Sequence, residues 1–220
     1  MDMETLFDRW KSKELHKDQR FIPDGIVNSE KWVKSPHKIL FILKEAYAKR
    51  DEEPAFDLRS TIKKQKARTK SLKPLGQWAY GLHHTLSNNS LTSFVRDGTL
   101  IDEALFSSAV INIKKSKGTK TSKNKNLTLY VDEDKDLIKE QISLINPDIV
   151  VCGRTWPLIK DIFTDTTWVS RRVTEVDGIP FVNFWHPANR AADDMKYYSL
   201  CALVQQYLQT QAEPELPRAS

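Results

Sequence analysis

Two short segments decide how this chain folds: Phe41–Tyr47, with the sequence FILKEAY, and Phe184–Arg190, with the sequence FWHPANR. In each segment an apolar run stops abruptly at polar side chains. This pattern is typical of buried parallel strands, whose carboxyl ends meet at one edge of an open α/β sheet, where ligands bind. The sequence therefore predicts that a carboxylate, Glu45, and an imidazole, His186, share one site.

The order of the predicted elements extends this interpretation to the whole chain of 220 residues. Helices alternate with short apolar runs, which predicts a three-layer α/β/α sandwich around a short, mostly parallel, four-stranded sheet. The last strand is the second arm of a hairpin whose first arm is Trp168–Val176 and which turns at Asp177-Gly178. We expect one domain over residues 1–210 and a disordered, Pro/Glu-rich tail over 211–220. The four predicted strands are Lys38–Leu43, Ser107–Ile113, Asp148–Cys152 and Ile179–Phe184.

Two windows, 58–96 and 104–131, contain several Lys and Arg residues but neither Asp nor Glu. Charge segregated in this way creates a positive field that gathers polyanions, and nucleic acid is the partner that it favours. A lysine-rich, solvated surface is the alternative interpretation. An anionic membrane is less favoured, because neither window is amphipathic. The candidate DNA-binding lysines are Lys63, Lys64, Lys66, Lys114, Lys115 and Lys117.

Several classes of protein are disfavoured by composition. Cys152 and Cys201 lie among apolar neighbours without ligand spacing, so we expect reduced thiols and neither a zinc site nor an iron–sulfur cluster. The amino terminus does not resemble a signal peptide, and no apolar run approaches the ~20 residues of a membrane helix. We therefore expect a cytoplasmic monomer that uses no cofactor and has no membrane partner.

From about Lys38 to Tyr207, the chain resembles the uracil-DNA glycosylase superfamily. The end of the first segment is similar to the family strand that runs into Gly-Gln-Asp-Pro-Tyr. The resemblance implies that Glu45 is the water-directing acid and that Tyr47 is the aromatic gatekeeper of the base pocket. Val110-Ile111-Asn112 is similar to the family strand that ends in a base-reading asparagine.

The second segment is similar to the family's His-Pro-Ser motif. By this resemblance His186 lies over the departing base, and the loop with Asn189 and Arg190 wedges into the duplex. Lys73-Pro74-Leu75-Gly76 is similar to the Pro-Phe-x-Gly segment of some branches, but Leu75 offers no ring. Trp78 or Tyr80 is then expected to stack on the base.

The departures from the family motifs suit a divergent branch. Lys44, Glu45 and Ala46 replace the usual Gln-Asp-Pro, and Ala188 replaces the usual Ser. The superfamily includes prokaryotic antiviral members that act on modified phage bases. The resemblance thus implies a substrate base other than plain uracil.

The chemistry of N-glycosidic bond cleavage fits these residue types. A carboxylate such as Glu45 stabilises the positive charge that develops on the sugar, and a donor such as His186 stabilises the departing base. An amide such as Asn112 can distinguish bases, while Lys44 and Arg190 suit phosphate contacts. We expect a monofunctional DNA glycosylase. The alternatives are a catalytically silent nucleic-acid-binding module on the same fold and an N-glycosidase of free nucleosides or nucleotides.

Overall fold

A mixed sheet of seven strands lies at the centre of the molecule and carries helices on both faces. The computed structural model describes residues 2–47, 57–118 and 124–212. The strands are β1 (Gly25–Ile26), β2 (Ile39–Tyr47), β3 (Ala109–Gly118), β4 (Ile149–Gly153), β5 (Thr166–Trp168), β6 (Val173–Val176) and β7 (Ile179–Phe184). The helices are α1 (Met3–Ser12), α2 (Ser29–Lys34), α3 (Leu58–Gln65), α4 (Leu72–Asn88), α5 (Gly98–Phe106), α6 (Asn124–Ile145), α7 (Trp156–Ile159) and α8 (Asp193–Ala212).

The α/β class is confirmed, but the predicted four-stranded sheet is wrong. The strand order is β1-β3-β2-β4-β7-β6-β5. The central strands β3, β2, β4 and β7 run parallel, whereas β1, β6 and β5 add antiparallel edges. The edge strands β1 and β5 escaped prediction because β1 has only two residues and all three residues of β5 are exposed, so neither shows an apolar pattern. The third, β6, lies in the predicted first hairpin arm, Trp168–Val176.

The central strand β2 explains why the sheet needs helices on both sides. Ile39 and Phe41 point into a core with α4, α5 and α8, while Leu40 and Ile42 point into a second core with α1 and α6. All four side chains are fully buried. Burial of each contributes about 1.5–3 kcal/mol, so these four residues of β2 are a main source of stability.

The Lys/Ser/Thr/Asn/Gly composition of residues 114–126 predicts a loop, but residues 114–118 belong to a strand and residues 124–126 to a helix. Strand β3 continues to Gly118, and α6 begins at Asn124. In the first window, residues 58–65 form α3. Residues 48–56, 119–123 and 213–220 lie outside the described residues, so the predicted tail is described only up to Ala212, where α8 ends.

Within the described ranges, none of the helices combines the length and the apolar composition that crossing a membrane requires.

Candidate functional site

The carboxyl ends of three adjacent parallel strands, β2, β4 and β7, bring the candidate groups to one edge of the sheet. Ile42 pairs with Cys152, and Cys152 pairs with Asn183, which places the three strand ends in one row. Beyond that row lie Glu45 on β2 and His186 after β7. Neighbouring strands are about 4.8 Å apart, so the ends of β2 and β7, which lead to these two groups, are separated by roughly 10 Å.

The tautomer of His186 makes its Nε2 a hydrogen-bond donor. The backbone N–H of Ala188 donates to His186 Nδ1 at 3.2 Å, which makes Nδ1 an acceptor and leaves the ring proton on Nε2. Burial lowers the pKa of His186, and the positive charges of Lys44, Arg154 and Lys196 lower it further. The imidazole is therefore neutral near pH 7 and presents an Nε2–H group.

The loop that carries His186 is fastened by a buried lysine that was not predicted from the sequence. Lys196 Nζ donates to the carbonyl oxygens of Pro187 at 2.9 Å and Asn189 at 3.1 Å, and it forms an ion pair with Asp193 at 2.8 Å. Its side chain is 2% exposed. The spacing Lys196, Leu200, Val204 on one helix face is the signal that could have revealed its burial.

Glu45 is held on the other side of β2, against β3. Its side chain is 6% exposed, and Oε2 lies 3.3 Å from Lys114 Nζ. Asn112 precedes this pair, because the register matches Leu43 with Asn112 and Glu45 with Lys114. Asn112 is buried, and its backbone N–H donates to Asp24 Oδ2 at 2.8 Å. The predicted acid and the predicted base-reading amide are thus neighbours.

Two cationic side chains, Lys44 and Arg154, lie near enough to His186 for their charges to lower its pKa. Lys44 Nζ donates to Asn124 Oδ1 at 3.1 Å, and its pKa is lowered by partial burial and by the charge of Arg154. Arg154 follows β4 directly, in a left-handed conformation with φ 59°. Its backbone N–H donates to Phe184 O at 2.9 Å, which ties it to β7. Arg154 was not predicted from the sequence, although it follows an apolar run as Glu45 and His186 do.

Two of the lysines predicted to bind DNA are unsuited to that role. Lys115 is fully buried, where it pairs with Asp24 at 2.8 Å and donates to Gln141 at 2.6 Å. Burial lowers the pKa of Lys115, and the charge of Asp24 opposes that effect. Lys114 is 8% exposed and engaged by Glu45. The prediction fails because both lysines lie on a buried strand rather than in a solvated loop.

Some of the accessible basic groups form a cleft beside the site. It has a volume of about 520 Å³ and lies between the segment leading into α4 and the loop after β7. We call it the basic cleft. Lys63, Lys64 and Lys66 are exposed earlier in the same basic window, and Lys117 is half-buried near the end of β3. The residues lining the basic cleft include Arg68, Lys70 and Lys73 on one side, Asn189 and Arg190 on the other, and the Lys196–Asp193 pair.

Two of the aromatic side chains predicted to contact the base, Trp78 and Tyr47, have different outcomes. Trp78 is 1% exposed and packs in the core between Phe41 and Phe184, with ring centroids 6.4 and 5.3 Å away. Its predicted role as a stacking platform is therefore wrong for this arrangement, because α4 turns the ring toward the sheet. Tyr47 ends β2, and its side chain lies outside the described part of the chain.

The cysteines and the acidic groups complete the chemistry of the described residues. Cys152 and Cys201 are buried free thiols, and burial raises the pKa of each to about 12. Within the described ranges, no group of three or more His, Cys, Asp or Glu side chains is placed to hold a metal ion. The site as described offers a carboxylate, a neutral imidazole, an amide and several cations.

Comparisons with known proteins add no relative: no protein-family model matches the chain, and no curated protein shows significant similarity to it. The sequence motifs and the geometry of the sheet edge are therefore the basis for inferring a function.

Proposed function

We propose that this chain is a monofunctional DNA glycosylase that removes a modified base and leaves an abasic site. The observation that carries the proposal is the sheet edge shared by a carboxylate, Glu45, and a neutral imidazole, His186, whose Nε2–H is a donor. These are the two kinds of group that an N-glycosidic bond needs on its two sides.

In the proposed reaction the target nucleotide leaves the base stack and enters the edge of the sheet. The N-glycosidic bond breaks and its electron pair leaves with the base, which His186 stabilises by donating from Nε2 to a base oxygen. Glu45 stabilises the positive charge on the sugar and orients a water molecule. The water oxygen bonds to C1′ and its proton passes to the Glu45 carboxylate and from there to solvent, while the base anion takes up a proton from solvent. The products are the free base and an intact strand with an abasic site.

The basic cleft supports DNA as the substrate. Arg68, Lys70 and Lys73 line the basic cleft together with Arg190. Phosphate contacts from such side chains position a nucleic acid without reading its sequence. Asn112, which can both donate and accept, is the proposed base-reading group.

The two alternatives fit these features less well. A catalytically silent nucleic-acid-binding module gains nothing from the Glu45 carboxylate, which repels phosphate. An enzyme for free nucleosides has little use for the basic cleft. The divergent motifs favour a modified base, and an antiviral role, a cytoplasmic location and a monomeric state remain parts of the proposal.

The test is a screen of the purified protein against DNA duplexes and single strands that carry different base modifications, followed by alkali treatment. We expect alkali-dependent cleavage at one class of modification, because alkali breaks abasic sites, and an intact strand without alkali. Absence of cleavage across all modified bases would contradict the proposal. A covalent adduct trapped by borohydride and abolished in Lys44→Ala would contradict the monofunctional assignment.

A further inference from the structure

A β-bulge in β3 lies directly beside Glu45. Glu45 pairs with Lys114, but the next residue of β2, Ala46, pairs with Lys117, so two residues of β3 are skipped. One of them, Lys115, turns into the buried contact with Asp24, and the other, Ser116, donates to Gln19 Oε1 at 2.5 Å. Bulges next to active sites re-aim side chains. Here the bulge places two residues of β3, one on each side of it, against the Glu45 carboxylate.

Lys114 is the first of these residues. Its ammonium group donates to Glu45 Oε2 at 3.3 Å and to the carbonyl oxygen of Lys117 at 3.1 Å, across the bulge. It also lies 5.0 Å from the centroid of the Tyr130 ring. The side chains of Lys114 and Glu45 are 10% and 6% exposed. A pair removed from water to this degree persists only in a well-defined geometry, so Lys114 restricts where the Glu45 carboxylate can point.

Gly118 is the second of these residues. A Cβ atom at this position would lie 2.3 Å from Glu45 Cγ and 2.4 Å from Cδ. The carboxylate therefore lies against bare backbone, in space that any larger residue would fill. Gly118 is not among the glycines with positive φ, so its role is to leave room rather than to permit an unusual backbone.

We propose that Lys114 and Gly118 are positioning residues for Glu45, fixing its carboxylate for base excision, and this inference rests on the proposed glycosylase function. It assigns Lys114 to the chemistry rather than to phosphate binding. The consequence is a separation of effects: changes at Lys114 or Gly118 slow excision through Glu45 and leave DNA affinity unchanged.

The experiment measures single-turnover excision rates and DNA affinity for Lys114→Gln and Gly118→Ala. We expect the rate of each to fall at least about 10-fold, since small misplacements of a reacting group are costly. Lys114→Arg should recover part of the rate, because it restores the cation. Matched controls are Lys139→Gln, on the outer side of α6, and Gly98→Ala, where a Cβ meets nothing within 4 Å.

The same changes in a Glu45→Gln background decide whether they act through Glu45. We expect Lys114→Gln to cause no further loss of rate there, whereas an independent further loss would overturn the inference. If Gly118→Ala does not fold, the Lys114 series alone decides. An active wild type with unchanged Lys114→Gln and Gly118→Ala rates would overturn this inference only. A wild type that releases no base from any modified DNA would overturn the proposed function and the inference with it.

Discussion

The two candidate catalytic groups are each held by a buried lysine, but in different ways. Lys114 forms an ion pair with the Glu45 side chain itself, whereas Lys196 binds backbone carbonyls of the loop that carries His186. The first interaction fixes one side chain and the second fixes a loop. Removal of the Lys114 ammonium should therefore act on the Glu45 carboxylate directly, and removal of the Lys196 ammonium should act on the whole loop.

The largest effect is expected from the catalytic groups themselves. Glu45→Gln keeps the shape of the side chain and removes its charge, and His186→Ala removes the donor. We expect each change to lower the rate of base release at least about 10²-fold, the scale of removing an electrostatic or acid–base group. Gel-shift titration should show that DNA binding survives in both, and it should not weaken in Glu45→Gln, because a negative charge near phosphate is gone.

Lys196→Met should be the next largest change and should separate the two lysines. It leaves the carbonyls of Pro187 and Asn189 without their donor, at a cost of about 1–3 kcal/mol in the free energy of unfolding. Urea unfolding measures this decrease, with Lys139→Met as the control. If Lys196→Met is as stable as wild type and equally active, Lys196 does not fasten the loop.

Changes in the basic cleft should alter the salt dependence of DNA affinity rather than the rate of the chemical step. Replacing Arg68, Lys73 and Arg190 with Gln should lower the salt dependence of DNA affinity, because fewer counterions are released from the duplex on binding. The log–log slope should become shallower by about 0.9 for each phosphate that these side chains no longer neutralise. At saturating DNA the excision rate should remain near that of the wild type. An unchanged slope would show that these side chains serve only solubility.

The smallest effect concerns the protonation of His186. Its pKa lies below the ordinary value of 6.5, in part because Lys44 is positively charged. Removing that charge in Lys44→Gln makes protonation easier, so the pKa of His186 should rise toward 6.5. NMR titration of the imidazole measures this shift, with Lys160→Gln as the control. A titration that is identical in Lys44→Gln would mean that the two groups do not interact.

The sequence predicts the central strands and the sheet edge because apolar runs that end at polar residues can be recognised without any knowledge of tertiary contacts. Both Glu45 and His186 follow from this pattern. The same pattern also occurs at Arg154, which follows the apolar run ending at Gly153 and was not predicted. What periodicity detects poorly is a short or exposed strand, and β5 is both.

The lysines show why the rest of the site could not be predicted. Lys115 is buried because Asp24 and Gln141, distant in sequence, neutralise and bind it. Lys114 meets Glu45 because a bulge changes the register of β3. Composition places both lysines in a solvated basic segment, because the composition of a segment does not show which of its residues face a partner on a neighbouring strand or helix.

The most direct test of the central claim is a structure of the Glu45→Gln variant bound to DNA that carries its substrate base. We expect a nucleotide flipped into the sheet edge. His186 Nε2 should lie within hydrogen-bonding reach, about 2.6–3.2 Å, of a base oxygen, and residue 45 should lie on the sugar side of the same nucleotide. A structure in which the base stays stacked, or in which only one of these two residues meets the nucleotide, would contradict the claim that Glu45 and His186 form one site.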